Sequence, residues 1–553
     1  MSTQRAFRPF ADLIVHNAKI HQVDITIDEI RSGKTDFTTL QNGYAAVREG
    51  VIIAVGEGDF SAYRDGHTEL LDAGGHVLLP GIYDSHMHAM FSGRGMLNID
   101  MRGVPSKDAM LSMIAERVRV TPKGEFIEGA YWNQLQWGVQ EIPTRRDLDA
   151  VSTEHPMFFM RMCFHIACVN SAALALAGIT RATPDPEGGI IGRDANGEPN
   201  GILYENAAMG LVQSVIPPLG ESQLVTAIEK IGAHLNQVGI TSVIDANLDF
   251  DSMRAYFTAR KQGKLTYRTR YMFYLDAAAG NAEYHLNRLD EMVAVTGYGD
   301  DMLKFNAIKV TLDGIPATGT AYMRRPYKHM PETSGYTTIT PDEMRQVAIK
   351  GTKYHWQIGV HTIGDKAVDV ALNAFEAADR ECGGIAQNRP YLIHVPFPHD
   401  DQIERMKRLN VSVTLQPTIL HLMGEGGLLY DDQARDYMPS KYFIDNGIVL
   451  GGSSDHPVVP CNPFFGMYAA MTRVDTDGVV WGAEHRISAR QALIMWTKSS
   501  AYFSGEEDKL GSIEPGCYGD MVLIDRDILE CTAEEVRDVS VLKTIVGGKV
   551  VYG

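Results

Sequence analysis

The sequence predicts an α/β protein built around a parallel sheet, and three observations carry that prediction. From about residue 220 onward, helical segments and short apolar strands alternate. Both ends of the chain carry short strand-type runs without such helices. Several side chains able to bind metals or move protons fall at or near strand ends in the alternating region. Repeated strand–helix units fit a barrel or a doubly wound sheet. The clustering at strand ends fits a barrel, whose C-terminal mouth gathers residues from several strands.

The N-terminal strands are Leu13–Ile14–Val15, Tyr44–Ala45–Ala46–Val47 and Val51–Ile52–Ile53–Ala54–Val55, separated by Gly and Asp. Asp520–Met521–Val522–Leu523–Ile524–Asp525 and the run Thr544–Val551 repeat the style at the other end. The two ends are therefore expected to share one small β domain. In the alternating region, Thr340–Pro341–Asp342–Glu343 reads as a capped helix start, with Pro at the first position and Glu three residues after the cap. Ile358–Gly359–Val360–His361 follows as a strand. The next helix begins after Gly364–Asp365 and stops near Gly383. Tyr391–Val395, a helix over Gln402–Arg408, Val411–Leu415 and Ile448–Gly452 continue the series. Residues 95–215 break the rhythm and read as an insertion. Gly81, Gly314 and Gly364 read as turn glycines.

Composition excludes several classes. The 553 residues are 44% hydrophobic and 22% charged, an ordinary globular balance. A net charge of −18, with no basic block, argues against nucleic acid or anionic membrane as partner. The start MSTQRAFRPFADL lacks the apolar core of a signal peptide, and the apolar stretches are too short to span a bilayer. The six cysteines, none in a Cys-x-x-Cys pair, read as reduced thiols of a cytoplasmic protein. A homodimer is the default assembly.

The chemistry starts at Pro80–Gly81–Ile82–Tyr83–Asp84–Ser85–His86–Met87–His88. Residues i and i+2 of a strand face the same side, so His86 and His88 aim both imidazoles at one point. Neutral imidazole suits Zn²⁺, Fe²⁺ or Ni²⁺. His361 and His394 fall at or near strand ends, and Asp455 falls just past Ile448–Leu450. Lys309 sits in the apolar strand Ala307–Thr311, where an unpaired ammonium is costly.

These pieces resemble the amidohydrolase superfamily, specifically the amidohydrolase 3 branch of YtcJ-like proteins and N-substituted formamide deformylases. The matching residues are the Pro80–His88 string, Lys309 with Asp313–Gly314, His361–Thr362–Ile363–Gly364–Asp365, Ile393–His394 and Ser454–Asp455. Asn170–Leu174, Gly197–Gly201, Gly511–Gly516 and Gly519–Asp520 agree as well. The resemblance implies a (β/α)₈ TIM-like barrel over 80–504, a small β-sandwich built from 1–79 plus 505–553, and the insertion at 95–215. It implies a binuclear metal centre, with zinc as the expected metal. His86 and His88 would hold one ion and His361 and His394 the other, with N-carboxylated Lys309 bridging them. Asp455 would bind a metal and handle protons. Where many relatives carry Arg-Ile-Glu-His, this chain has Tyr391–Leu392–Ile393–His394, and His456–Pro457 follows the aspartate.

The implied activity is hydrolysis of a non-peptide amide-type C–N bond of a small molecule by metal-activated hydroxide. Deamination, lactone or carbamate hydrolysis at the same site, and a catalytically silent binding protein of the same fold, are the alternatives. Trp132, His165 and His456 are the substrate-side candidates, with core roles for Trp132 and His165 weighed beside them. Asp365 reads as a helix cap that also supports His361.

Overall fold

The computed structural model describes residues 10–137, 142–163, 165–275, 282–290, 294–423 and 429–553. The chain divides into two compact units: Gly93–Ala227, and the remainder on either side of it. Among the described residues no helix is long and apolar enough to cross a membrane.

In the larger unit, both termini build one mixed sheet of eight strands. Val77–Pro80 from the N-terminal part pairs antiparallel with Met521–Ile524 from the C-terminal part. Leu13, Val15, Ile20, Val47, Leu78, Met521, Leu523 and Ile545 form its main apolar cluster. The run Thr544–Val551 is not one strand. It folds into the hairpin Val541–Val546 and Lys549–Tyr552, because Gly547 and Gly548 both adopt positive φ, as a tight two-residue turn requires.

The barrel strands are β1 (Ile82–Met87), β2 (Ile240–Leu248), β3 (Arg268–Leu275), β4 (Leu303–Thr311), β5 (Gln357–Thr362), β6 (Tyr391–His394), β7 (Ser412–Leu415) and β8 (Leu450–Gly452). Each pairs in parallel with the next, and β2 also pairs with β1. Helices such as Pro341–Lys353, Asp365–Cys382 and Asp400–Leu409 form the return connections. The helix at Pro341 carries the expected reciprocal cap between Thr340 and Glu343. Between β8 and β1 no ladder forms; side chains and loop backbone close the gap. Ser85 Oγ donates to Gly452 O at 3.0 Å and Asp455 N–H to His86 O at 2.9 Å.

The glycines flanking the site serve close packing rather than turns. Gly81 has no left-handed φ, and a Cβ there would lie 2.2 Å from Thr241 Oγ1. A Cβ on Gly364 would lie 2.0 Å from the backbone oxygen of Tyr322, and one on Gly314 would strike Thr320. Any side chain at Gly364 must therefore displace backbone beside the strand that carries His361.

The second unit holds a six-stranded sheet in the order Ile190–Arg193, Pro199–Tyr204, Ile166–Val169, Met157–Arg161, Ile127–Trp132, Ile99–Asp100. Trp132 is wholly buried in its core, stacks on Trp137 and donates its indole N–H to Phe159 O at 2.9 Å. It has no surface left to present to a ligand, so the core reading replaces the pocket one. His165 is exposed rather than buried, with Nδ1 2.7 Å from Glu205 Oε2.

Candidate metal centre

Six side chains from five strands or strand ends converge at the C-terminal end of the barrel. His86 lies on β1 and His88 just after it; Lys309 lies on β4, His361 on β5 and His394 at the end of β6. Asp455 follows β8 by three residues. Asp455 Oδ1 is 3.1 Å from His88 Nε2 and 3.4 Å from His86 Nε2. Lys309 Nζ is 3.4 Å from His86 Nε2. His394 Nε2 is 3.0 Å from His361 Nδ1, and its ring centroid is 6.0 Å from that of His86.

Local backbone aims two of these groups. His394 and Asp455 have φ of +79° and +58°, outside strand geometry. Non-glycine residues held there carry strain that the surrounding structure must compensate, and such strain concentrates at functional sites. His394 thereby leaves the pleat alternation of β6, and Asp455 turns out of the loop after β8. Asp84 secures the β1 end: it accepts the His86 N–H at 3.1 Å and the Ser454 Oγ–H at 2.6 Å. Gln416 fixes the tautomer of His394. Its amide nitrogen donates to Thr414 O and Ser453 Oγ, so its Oε1 accepts the Nδ1–H of His394 at 2.6 Å. The lone pair of His394 is then on Nε2, facing the cluster.

The donor set fits divalent cations. Asp455 Oδ1, which faces His86 Nε2 and His88 Nε2, is buried and makes no hydrogen bond of acceptable geometry. An unpartnered buried polar atom costs about 1–3 kcal/mol, so a bare carboxylate oxygen facing two imidazoles marks a site suited to a bound cation. The spacings agree. Two nitrogens or oxygens on one tetrahedral Zn²⁺ lie about 3.3 Å apart. The His88–Asp455, His86–Asp455 and His361–His394 separations of 3.1, 3.4 and 3.0 Å match that edge.

Electrostatics favour the same occupant. Burial drives His86 and His361 well below the ordinary imidazole value and His394 to about 4, so all three are neutral. Burial pulls Lys309 down to about 7, partly opposed by the charge of Asp455. Burial alone would raise Asp455, but the facing imidazoles of His86 and His88 outweigh it and hold the carboxylate well below its ordinary range. Neutral nitrogens around a carboxylate are the protonation states that metal binding needs.

Two expectations change. Asp365 is the first residue inside its helix, not the cap, which is Gly364. Its carboxylate accepts the Arg324 N–H at 2.6 Å and lies 2.9 Å from His399 Nε2. Asp313 supports the β5 end instead: it accepts the N–H groups of Ile363, Gly364 and Tyr322, with Oδ1 3.9 Å from His361 Nε2. His456 sits beside Asp455 in sequence, but its ring groups with His234 and Cys461 rather than with the six. The spacing of motifs missed Gln416; the available signal was a polar residue directly after the apolar run Val411–Leu415.

Comparison with known proteins agrees with this arrangement. The chain is 29% identical over 520 residues to YtcJ of Bacillus subtilis, covering 92% of this chain and 95% of that one. It is 28% identical over 495 residues to the N-substituted formamide deformylase of Arthrobacter pascens, covering 88% and 90%. Among solved structures, a metal-dependent hydrolase of Pyrococcus furiosus superposes with a TM-score of 0.74 at 26% identity, covering 94% of this chain and 100% of that one. The profile of the amidohydrolase family matches residues 69–552, which is most of the chain and includes all six converging side chains. The chain belongs to the amidohydrolase family.

Proposed function

We propose that this metal-dependent hydrolase cleaves a non-peptide amide-type C–N bond of a small molecule, with N-substituted amides and formamides as the substrate class. The observation that carries the reading is Asp455: an ionised, buried carboxylate whose Oδ1 faces two imidazoles without hydrogen-bonding either. The similarity to the N-substituted formamide deformylase supports the substrate class. The mixed nitrogen and oxygen donors favour Zn²⁺.

His86, His88 and Asp455 would hold one ion, and His361 and His394 a second. A bound divalent cation lowers the pKa of water towards about 7 and polarises the substrate carbonyl. Asp455 accepts the proton of the attacking water and delivers it to the leaving nitrogen, so one carboxylate serves both halves of the reaction. With its pKa pulled to about 7, Lys309 has a largely neutral amine at slightly alkaline pH. That amine can add to the carbon of CO₂ and lose one proton, giving a carbamate anion, so Lys309 would supply an oxygen donor to the metal centre. The modification converts an unfavourable buried ammonium into an oxygen donor, and adds the negative charge that two dications and one aspartate lack.

The test is turnover of a panel of N-substituted amides and formamides by protein stripped with chelator and reloaded with Zn²⁺. Release of amine that requires metal supports the proposal. Exchange of a ring amine for oxygen, or opening of a lactone, with no amide cleavage, redirects it to the alternative chemistries. A fully loaded protein inert towards all of them contradicts it.

A further inference from the structure

We propose that His234, His456 and Cys461 form a separate cation site, selective for thiophilic ions of the Zn²⁺ class. One ligand atom from each of the three lies within 4.8 Å of the others. None belongs to the six-residue cluster. The grouping is tertiary rather than local: His234 comes from the helix Glu221–Gln237, His456 from the turn after β8, and Cys461 from just before the helix Pro463–Thr472.

Each residue is in a state that suits coordination. His456 Nδ1 lies 3.0 Å from Val459 O. A carbonyl only accepts, so Nδ1 carries the hydrogen, and in the neutral tautomer that leaves Nε2 as the ligand atom. This is the arrangement that orients metal-ligating histidines elsewhere. Burial holds His234 below the ordinary imidazole value, in its neutral form. Cys461 is a free thiol, 1% exposed, and burial pushes it up to about 12. Without a cation its sulfur keeps the proton. On binding, the sulfur–cation bond replaces the S–H bond and one proton leaves to solvent. The two half-buried histidines leave a route in from solvent, and three protein ligands leave one position of a tetrahedron for water.

The donors differ in kind from those of the larger centre. Two imidazoles and a thiolate select Zn²⁺ or Cd²⁺ over harder ions, whereas a carboxylate with imidazoles is less discriminating. The position has a structural consequence. His456 directly follows Asp455, and its carbonyl accepts the His88 N–H at 2.9 Å. A cation on His234, His456 and Cys461 therefore ties the loop that carries Asp455 to a barrel helix.

Co²⁺ titration of the chelator-stripped, full-length protein tests the site. The six-residue centre has no sulfur, so thiolate-to-cobalt charge-transfer absorption in the near ultraviolet reports this site alone. The wild type is expected to show that band, and Cys461→Ser to lose it. His234→Gln, at a half-exposed position, is expected to weaken Co²⁺ binding read at the band by about tenfold or more. His86→Ala is expected to retain it. Co²⁺ binding without the band in wild type, a band that survives Cys461→Ser, or an unchanged affinity in His234→Gln would overturn the proposal. A band lost in His86→Ala would assign the thiolate to the larger centre and overturn it equally.

Discussion

Two ends of the same barrel bury charge in opposite ways. At the N-terminal ends of the strands, Arg268 on β3 donates to both oxygens of Asp520 at 2.7 and 2.9 Å. Arg270 on the same strand and Lys304 on β4 both pair with Glu506. At the C-terminal ends, the buried Asp455 Oδ1 has no hydrogen bond of acceptable geometry. Both ends take ionisable groups out of water. The first end carries its own cations, as arginine and lysine, and joins the barrel to the β domain. The second lacks a matching cation because it is built to take one from solution. For the charged groups, paired burial joins the barrel to the β domain, and the bare carboxylate oxygen of Asp455 marks the mouth as the place for chemistry.

The sharpest way to break this contrast is at the mouth. His86→Ala and Asp455→Asn should each lower kcat by about 10²–10⁴-fold or more. Far-ultraviolet circular dichroism should stay unchanged, because both side chains sit at the barrel mouth rather than in its apolar core. Near-normal turnover would show that the site is assigned wrongly. At the other end the signs reverse. Arg268→Met strands the buried carboxylate of Asp520 and should cost about 3–5 kcal/mol in denaturant unfolding, with kcat of the folded fraction preserved.

Lys309 sharpens the contrast, since it is a buried cation without a fixed anionic partner in hydrogen-bond contact. Its folded-state pKa is lowered from 10.5 to about 7 by burial, so its stabilising contribution is present above about 10.5 and lost as pH falls through about 7. Lys309→Met should therefore stabilise the metal-free protein by about 1–4 kcal/mol below pH 7. The gain should shrink towards zero as pH rises to 10.5. Thermal unfolding across that range reads the trend, and a gain that grows with pH would refute it. The smallest effect is expected in the second unit. Trp132→Phe removes the hydrogen bond to Phe159 O and should cost about 1 kcal/mol, with KM unchanged.

The sequence made the site legible wherever geometry is periodic. His86 and His88 follow from the two-residue repeat of a strand, and the barrel follows from strand–helix alternation; Thr340 and Glu343 announced their helix through a cap. What stayed hidden depends on departures from periodicity. His394 and Asp455 are legible as candidates at strand ends, but the left-handed backbone that aims them is specified by no local pattern. Gln416 and Asp313 act through contacts made only after β7 and β5 pack against their neighbours. Trp132 could not be told from a pocket residue because burial is a tertiary property. The resemblance supplied the ligand grouping and the modification of Lys309, neither of which spacing alone expresses.

Anomalous diffraction at the zinc edge, from crystals of protein reloaded with Zn²⁺, tests the central claim most directly. The account predicts zinc peaks bounded by His86, His88 and Asp455 and by His361 and His394, with added density on Lys309 Nζ between them. A well-ordered barrel mouth holding only water, with Lys309 unmodified against His86, would contradict it.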